Sequence, residues 1–497
     1  MNELITIKIN FRGGIISPGD LFNVLVAATK AGIKNVNFGL RQQLLIHVAS
    51  EKLNEFTTAL DELSIQYETG KNEYPNIVSS YPAEEVFINN TWLSEGVYKD
   101  IFDGMEHHPR LKINISDSNQ SFTPLLTGNI NWVASATAQH FWHLFIRFPK
   151  TNIIYEWTEM VYTNDVPMVS GEIEALIFRH KKMFYDNPKA KGEHLFRLID
   201  KAKYITKRSE NTAALPTFNL PYYEGLNRYN NKYWLGVYRR DELFDVDFLK
   251  EVCRLCLDTK IGLLCSTPWK SIIIKGIEEK DKDKWSRLLE KYNINMRHAA
   301  NELNFQVEDN SKDALQLKQF LVKQFNDDDT RTFGVCIGIK TKMKTEIFCS
   351  ILVKRRPLFS FFGIELFYLY DILCAKDFNP NERTGFIFSK NNPKFLLGEQ
   401  LRLTILSFSK HRAGIYAAKD NKPLPEKEKT KNIAEQFVHQ CKHCLSVYDE
   451  ALGEPAAGIA AGTAFELLPG DFSCTLCEAS KQDFVKTEKG KLGLQPV

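Results

Sequence analysis

The sequence contains no apolar run long enough to cross a bilayer. Its longest apolar segment, LFSFFGIELFYLYDILC at residues 358–374, carries Glu365 and Asp371 and is shorter than the roughly 20 residues that a membrane-spanning helix needs. We predict that this segment forms a buried helix. The first residues, MNELITIKIN, alternate polar and apolar side chains and lack the basic start and apolar core of a secretory signal. These absences predict no membrane span and a cytoplasmic location.

Several catalytic and binding signatures are also missing. The sequence shows no P-loop, no dinucleotide-binding fingerprint and no Ser-His-Asp arrangement, and its net charge of only +3 leads us to expect no nucleic-acid partner. It does contain 10 cysteines. In a chain without an export signal, paired cysteines indicate metal or redox chemistry more often than structural disulfides.

The small net charge conceals an acidic C-terminal segment. Residues 432–484 carry eight acidic side chains against two lysines, so the preceding residues are mildly basic. The stretch between them, AAKDNKPLPEKEKTKN at 417–432, has the charged, proline-containing composition of a linker. We therefore predict an acidic module that is tethered to a larger body.

The body contains an internal repeat. A shift of 228 positions aligns DLFNVLVAATKAGIKNVNFGLRQQLLIHV (20–48) with FLKEVCRLCLDTKIGLLCSTPWKSIIIKG (248–276) without a gap. Each copy has apolar residues three and four apart, then a turn, then a β-rich run. LITIKINFRGG and KYWLGVYRRDE precede the copies as matching strands. The pattern predicts a strand, helix and strand used twice in a duplicated domain. The alternative is chance similarity of two such units.

Two further stretches shape the prediction for the body. Residues 108–149 are predicted to form strands of a larger sheet. Residues 179–208 hold ten Lys or Arg against three acidic residues, which is typical of a solvated helix face, although a docking face is the alternative.

The strongest chemical signal is a pair of Cys-x-x-Cys motifs. Cys441 and Cys444 are followed, after 29 intervening residues, by Cys474 and Cys477. Two such turns can present four thiolates tetrahedrally to one metal ion, which suits zinc or iron. The sulfur ligands alone do not choose between the two metals.

The surrounding sequence resembles rubredoxin. YDEALGEP, GIAAGTAFELLP, FSCTLC and KQDF fall at that family's spacings over about 50 residues. The resemblance implies a mononuclear iron bound by the four cysteines and cycling between ferric and ferrous states, with no open coordination position. It also implies an aromatic core around the metal, formed by Tyr448, Phe465, Phe472 and Phe484.

Two positions depart from the rubredoxin pattern without removing a ligand. Phe472 stands where the family usually has Trp, and Thr475 stands where it usually has Pro. Phe keeps the ring packing, whereas Thr loosens one turn and affects the hydrogen bonds that help to set the potential. A zinc ribbon is the alternative, but such a ribbon needs no aromatic core.

The body resembles the siroheme-dependent nitrite and sulfite reductases over roughly residues 4–410. The resemblance rests on FGLRQQLLIHV, CSTPWKSIIIKGI, HPRLKINIS and GNINWVAS. It implies an α+β fold with two ferredoxin-like half domains and larger mixed sheets. It also makes Arg41 a candidate ligand of the siroheme carboxylates, and Arg110 and Lys112 as well if one residue is deleted relative to the family. The alternative makes these three ordinary charged strand residues.

The same resemblance exposes a missing site. The family holds a 4Fe-4S cluster with a Cys-x5-Cys and a later Cys-x3-Cys motif after the second half domain, where this sequence has only Cys336 and Cys349. Without four thiolates the cluster cannot be built. We therefore expect no 4Fe-4S cluster and no sulfite or nitrite reduction by the usual coupled centre. Cys253 and Cys256 replace Leu25 and Ala28 of the first copy, which predicts a buried apolar face.

These features lead to one leading hypothesis and two alternatives. The leading one is an electron-transfer protein that carries single electrons on an iron bound by four cysteines, with a catalytically silent reductase-like scaffold that docks to a redox enzyme. The resemblance implies a rubredoxin reductase or a similar flavoprotein as donor, and an enzyme of nitrate or nitrite assimilation as a possible acceptor. The alternatives are a siroheme enzyme with a built-in rubredoxin donor and a degenerate partner subunit of a reductase.

The sequence predicts the following domain order. The domains are a first ferredoxin-like half domain (1–75), a first reductase-like α/β domain with a basic connector (76–215), a second half domain (216–295), a second reductase-like domain (296–416), the linker (417–432), a rubredoxin domain (433–486) and a tail (487–497).

Overall fold

The protein was analysed as a computed structural model of the 497-residue chain. The structure describes residues 4–70, 73–88, 91–185, 187–296, 300–342, 347–361, 364–382, 384–420, 437–444, 446–454, 457–475 and 477–488. The chain divides into a unit at residues 1–415 and a unit at residues 416–497, called here the body and the C-terminal unit. The domain boundaries within the body stay predictions.

The α-helices of the described residues belong to the body, apart from the end of the last one. Their bounds are α1 Pro18–Lys30, α2 Leu53–Glu62, α3 Glu95–Asp103, α4 Val166–Arg179, α5 Lys181–Phe184, α6 Gly192–Phe196, α7 Val246–Asp258, α8 Lys282–Lys291, α9 Ala300–Leu303, α10 Lys312–Asp327 and α11 Lys394–Asp420. No helix in the described part of the chain is long and apolar enough to cross a membrane.

The strands belong to both units. In the body they are β1 Leu4–Ile9, β2 Ile15–Ile16, β3 Asn35–Phe38, β4 Leu44–Ala49, β5 Glu68–Thr69, β6 Val78–Ser79, β7 Ile113–Ser116, β8 Ile130–Ala134, β9 Phe141–Ile146, β10 Tyr155–Glu156, β11 Glu159–Tyr162, β12 Thr206–Arg208, β13 Gly225–Tyr229, β14 Lys232–Val237, β15 Phe244–Asp245, β16 Leu264–Ser266, β17 Ile272–Ile277, β18 Phe305–Val307, β19 Ile337–Lys340, β20 Ile351–Phe361, β21 Ile364–Ala375 and β22 Gly385–Asn392. In the C-terminal unit they are β23 Phe437–Cys441, β24 Val447–Tyr448 and β25 Phe484–Glu488.

The strands assemble into separate sheets, as expected for an α+β protein. The strand orders are β15-β3-β4-β1-β5, β12-β11-β9-β8-β7-β6 with β10 beside β9, β13-β14-β17-β16-β2, β18-β19-β20-β21-β22, and β24-β23-β25. The second of these sheets contains the strands predicted within residues 108–149. The α+β prediction is therefore confirmed.

The duplicated unit is present in the structure at the predicted offset. Helices α1 and α7 begin 228 residues apart, at Pro18 and Val246, and the strands that precede them, β1 and β14, begin at Leu4 and Lys232. A serine and an aspartate cap the two helices at equivalent ends, because the Ser17 and Asp245 side chains accept backbone N–H bonds within the first turn. The repeat seen in the sequence is a repeat of the fold.

The two copies exchange strands across their junction. The short strand β2 of the first copy pairs with β16 of the second, with Ile16 opposite Leu264. In return β15 of the second copy pairs with β3 of the first, with Phe244 opposite Val36. These registers are equivalent under the same shift, so the half domains are related by approximate twofold symmetry. One apolar core runs through both copies, so the two half domains are packed as one unit.

The prediction of a buried helix at residues 358–374 is wrong. Most of this segment lies in the antiparallel pair β20 and β21, in which Val353 lies opposite Ile372. On β21 the alternate side chains of Tyr370, Ile372 and Cys374 are buried in the core, which is the period of a strand. Aromatic and β-branched side chains suit such a pleated surface better than a helix, and apolar content alone did not reveal the period.

Two smaller predictions can be compared with the structure. Helix α11 runs to Asp420, because AAKD consists mostly of good helix formers and the first proline follows at 423. The helix thus enters the predicted linker, and residues 421–432 lie outside the described residues. Cys253 and Cys256 are fully buried in the shared core, which confirms their prediction as core residues.

Candidate metal centre

A cationic cleft in the body contains two of the predicted siroheme ligands. The cleft has a volume of about 290 Å³, and Arg41 and Lys112 both line it, together with Lys8, Lys342 and Asp309. Burial lowers the pKa of the Lys8 ammonium. Lys8 is paired with Glu68, but Arg41, Lys112 and Lys342 outnumber Asp309. The cleft therefore has an excess of positive charge, as the resemblance to siroheme enzymes implies.

The Arg41 guanidinium is held rigidly by oxygen atoms of the protein. It donates from Nε and Nη2 to the Asn76 carbonyl at 3.0 and 2.7 Å, and from Nη2 to the Ile113 carbonyl at 2.9 Å. Both acceptors lie beside the strands β6 and β7. The guanidinium thus joins the first half domain to the neighbouring sheet, a structural role that does not need a ligand.

Arg110 lies away from this cleft. Its guanidinium carbon stands 4.9 Å from the centre of the Phe178 ring, and its backbone N–H donates to Glu174 at 2.7 Å. Arg110 is therefore anchored to helix α4, and the structure does not bring it together with Arg41 and Lys112.

The C-terminal unit presents its cysteines on two turns at one end of a small sheet. Strand β23 runs between β24 and β25 and ends at Cys441, so the first Cys-x-x-Cys turn begins where the sheet stops. The second turn follows the buried ring of Phe472. A short chain segment after each pair returns to close the turn.

The four cysteine sulfurs form a group of the size that one metal ion needs. All four Sγ atoms lie within 4.8 Å of one another, and the Cys441–Cys477 and Cys444–Cys474 sulfur pairs are 3.6 and 3.4 Å apart. Tetrahedral coordination with metal–sulfur bonds of about 2.3 Å requires separations of roughly 3.8 Å. The four side chains therefore fit a single tetrahedral metal ion.

The two turns provide donors to the sulfurs. Hydrogen bonding with the Ser446 hydroxyl, which accepts from the Cys444 thiol at 3.2 Å, and with the Ser446 backbone N–H holds the pKa of that thiol below its ordinary value. Exposure differs within each pair, since Cys441 and Cys474 are buried whereas Cys444 is half-buried and Cys477 is exposed. The exposed sulfurs give electrons a short route to the surface.

Aromatic rings pack beside the cysteine turns. Tyr448, Phe465 and Phe472 form the core of the unit, and Phe484 packs against them. The Tyr448 hydroxyl donates to the Thr463 carbonyl at 2.8 Å, which satisfies its one polar group in the core. These are the four rings that the sequence predicts, and two of them are next to ligands: Phe472 lies two residues before Cys474, and Phe484 lies opposite Cys441 in the sheet.

Comparisons with known proteins agree with this geometry. The Rubredoxin family model matches residues 438–484. Rubredoxin 4 of Rhodococcus sp. (strain Q15) is 45% identical over 51 residues, which are 10% of this chain and 85% of that protein. The chain belongs to the rubredoxin family. Another relative, Rubredoxin-1 of Pseudomonas putida, is 47% identical over 53 residues, and the match covers 11% of this chain and only 30% of that protein.

The body is similar to a protein of known structure. The structure of the Mycobacterium tuberculosis NirA protein superposes on this chain with a TM-score of 0.63 and 15% identity, and the match covers 84% of each chain. At this identity the similarity concerns the fold alone. The predicted resemblance of the body to nitrite and sulfite reductases is confirmed at that level, and a rubredoxin domain follows it.

The residues of the body can be compared with the two cofactors of the reductases, the 4Fe-4S cluster and siroheme. Cys336 is buried and its thiol donates to the Phe348 carbonyl at 3.1 Å, and the sequence supplies no Cys-x5-Cys or Cys-x3-Cys motif for a cluster. The cleft is at the lower limit of the roughly 300–1,000 Å³ typical for drug-sized ligands, and siroheme is larger than most of these. Arg41 and Lys112 offer cations to carboxylates, but a cleft of this volume does not enclose a whole siroheme, and we derive no step through that group.

Two features of the structure were not found from the sequence. One is Ser446, which contacts sulfurs from both cysteine pairs; alignment of the first Cys pair on the second would have singled it out. The other is the buried ion pair of Lys270 and Glu242, 2.6 Å apart. The sequence carries no signal for that pair other than the internal repeat.

Proposed function

We propose that this protein carries single electrons on a mononuclear iron that is bound by Cys441, Cys444, Cys474 and Cys477. The observation that carries the proposal is the convergence of these four sulfurs within a domain of the rubredoxin family. Bound iron would supply a one-electron ferric/ferrous couple. All four positions of a tetrahedral ion would be filled by protein sulfur, so the site would transfer electrons without binding a substrate.

The chain's own residues support this role. The Tyr448 and Phe472 rings are buried in the core of the unit, while Cys477 lies at an edge that is exposed to solvent. Outer-sphere electron transfer needs such an edge, because electron donor and acceptor must approach the ligating sulfur. We infer that the edge formed by Cys444 and Cys477 is where redox partners approach.

The role of the body is part of the proposal. We propose that the body acts as a docking scaffold for a redox enzyme, in the cytoplasm, and that the tether keeps the rubredoxin domain at a high effective concentration near that enzyme. The donor would be a rubredoxin reductase or a similar flavoprotein, and the acceptor an enzyme of nitrate or nitrite assimilation. Fold similarity to the NirA protein supports the acceptor class, whereas the rubredoxin domain supports the donor class.

The first experiment is metal analysis with an absorption spectrum of the aerobically purified full chain. We expect one iron per chain, ferric-thiolate bands that bleach on reduction with dithionite, and no tetrapyrrole band. Stoichiometric zinc without iron would overturn the proposal. A second assay measures delivery: after removal of dithionite, the reduced protein should pass one electron per iron to cytochrome c, used as a probe acceptor.

Substitution of one ligand tests whether the centre is needed. Cys444→Ala should abolish stoichiometric iron and delivery to cytochrome c, because three thiolates no longer complete the site. Cys256→Ala removes a thiol from the core of the body and is the matched control, which should keep both. Electron delivery that persists in Cys444→Ala would refute the carrier role. If the body is only a partner subunit of a reductase, both variants should still bind that enzyme, and loss of delivery should not affect the binding.

A second candidate function is a tetrapyrrole enzyme with the rubredoxin domain as its built-in donor. The observation that favours it is the shared position of Arg41 and Lys112 in one cationic cleft. The test adds siroheme to the full chain and measures its spectrum and affinity. Tight stoichiometric binding that Lys112→Ala weakens would establish this function, and no binding would exclude the cleft as a siroheme site.

A further inference from the structure

The two cysteine turns of the rubredoxin domain are built alike. A shift of 33 residues aligns Cys441 with Cys474, Cys444 with Cys477, and Ser446 with Ala479. The Cys441 N–H donates to the Ser446 carbonyl at 2.8 Å, and the Cys474 N–H donates to the Ala479 carbonyl at the same distance of 2.8 Å. The backbone around the sulfurs is thus nearly twofold symmetric.

One side chain breaks this symmetry. The Ser446 Oγ lies 3.2 Å from the Cys444 Sγ and 3.0 Å from the Cys474 Sγ, so it reaches one sulfur from each pair. At the equivalent position Ala479 offers only a methyl group. Metal binding removes the thiol protons, so the ligating thiolates can only accept hydrogen bonds. The Ser446 hydroxyl is then the donor in both contacts.

We propose that the Ser446 hydroxyl donates a hydrogen bond to the ligating thiolates of Cys444 and Cys474 and thereby raises the reduction potential of the iron. This inference rests on the proposed one-electron function. With four thiolates, the ferrous site carries one more negative charge than the ferric site. A hydrogen bond to a more negative acceptor is stronger, so the hydroxyl stabilises the reduced state more than the oxidised state.

The direct test is the reduction potential of Ser446→Ala in the full chain, measured by optical titration. Loss of the hydroxyl should lower the ferrous-to-ferric ratio at a fixed ambient potential about tenfold, which is a shift of about 59 mV to more negative potential for a one-electron couple. Ser480→Ala is the matched control, because the Ser480 hydroxyl bonds the Asp483 carboxylate at 2.9 Å. Its potential should remain that of the unsubstituted protein.

The reciprocal variant places a hydroxyl on the other turn. Ala479→Ser should put a donor beside Cys477 and shift the potential in the positive direction, and it removes no existing contact. If Ser446→Ala does not bind iron, the reduction potential of Ala479→Ser still tests the effect of a hydroxyl donor. Resonance Raman spectra add an independent measurement, since the iron–sulfur stretches should move on exchange into deuterium oxide less in Ser446→Ala than in the unsubstituted protein.

The outcomes separate this inference from the proposed function. If the unsubstituted protein shows no reversible one-electron step, the proposed function fails. If it shows one, and Ser446→Ala and Ala479→Ser both keep its potential, the carrier function stands and the tuning role of Ser446 is wrong. Opposite shifts in the two variants would support the tuning role.

Discussion

The two copies of the half domain place different chemistry on the same backbone. Gly14 and Glu242 are equivalent and both adopt the left-handed conformation, with φ of 74° and 58°; so do Gln42 and Lys270, with φ of 62° and 55°. In the first copy a Cβ on Gly14 would lie 2.7 Å from the Gln42 side chain. In the second copy the two equivalent positions hold a buried ion pair, with the Lys270 and Glu242 side chains 2.6 Å apart.

In the first copy, the hydrogen bonds at this position are made by neutral groups. The Gln42 Nε2 donates to the Ser79 and Ser266 carbonyls, each at 3.1 Å, and its Oε1 accepts from the Ser79 N–H at 2.8 Å. The amide therefore joins the first copy to β16 of the second without burying a charge. Duplication preserved the backbone here, while the side chains diverged from an amide to an ion pair.

The second copy extends its ion pair into a network. Lys270 also donates to the Glu308 carbonyl at 3.1 Å and lies 3.5 Å from Asp309, and Lys318 lies 3.6 Å from Glu242. Burial lowers the pKa of Lys318 and raises that of Asp309. We therefore expect the two halves to tolerate removal of a partner very differently, because a lost charge partner costs more than a lost amide.

The largest expected effect comes from removing the Lys270 charge. Lys270→Met should lower the free energy of unfolding by about 3–5 kcal/mol, because it leaves a buried carboxylate that has lost its nearest partner. Urea denaturation of the full chain, followed by fluorescence, measures this loss. Gln42→Met is the matched change in the first copy and should cost about 1–3 kcal/mol. Equal losses in the two variants would contradict the comparison.

A double substitution provides the control for the ion pair. Glu242→Gly with Lys270→Gln converts the second junction to the pair of residues in the first, and Gly suits the left-handed φ. Part of the loss in Lys270→Met should be recovered, because the Glu242 carboxylate is removed together with its nearest partner. Lys318 keeps its contact with the Tyr238 hydroxyl, and Asp309 keeps the Leu40 N–H. If the double variant is as unstable as Lys270→Met, the pairing of these two residues is not the source of the effect.

The next effect concerns a carboxyl in the first half of the body. Glu84 is buried and accepts from the Tyr98 hydroxyl at 2.9 Å, and burial raises its pKa to about 7 from an ordinary value of 4.5. The folded state therefore holds a proton that the unfolded state releases. Stability from this group is present below about pH 4.5 and is lost as the pH rises through about 7, to a total of about 3 kcal/mol.

Glu84→Gln should remove this pH dependence. The variant should be more stable than the unsubstituted protein at pH 8, by about 2 kcal/mol, and similar to it at pH 4.5. Urea denaturation at both pH values measures the difference. Glu106→Gln, in an exposed loop of the same half, is a control that should change neither value. A constant difference between pH 4.5 and 8 would show that Glu84 is not protonated in the fold.

The sequence predicted the parts of the molecule that depend on spacing. The two helices of the repeat were found because their apolar residues keep the same period and offset, and the metal group was found because Cys441 and Cys474 begin identical motifs. Both signals are local or are repeated along the chain. They therefore predicted the duplicated fold and the four convergent sulfurs.

The parts that depend on long-range pairing were not predicted. The part of the segment 358–374 that belongs to β21 pairs with β20 and β22. Because most of its side chains are apolar, the alternation of buried and exposed residues could not be seen in the sequence. Arg110 and Lys112 are two residues apart, yet only Lys112 lines the cleft with Arg41, because Arg110 is drawn to Phe178 and Glu174 on α4. No local pattern in the sequence carries these tertiary contacts.

The smallest expected effect concerns the thiols of α7. Cys256 stands at the position of Ala28, and both are fully buried, so Cys256→Ala gives the second copy the side chain of the first. We expect the free energy of unfolding to fall by about 1 kcal/mol, from the loss of one buried sulfur.

Burial raises the pKa of the neighbouring Cys253 thiol to about 12, so neither thiol should react with iodoacetamide in the native protein at about pH 7.5. Mass spectrometry of the labelled full chain measures this, with the exposed Cys477 of iron-free protein as the positive control. Rapid labelling of Cys253 would show that the pair is accessible and would contradict its assignment to the core.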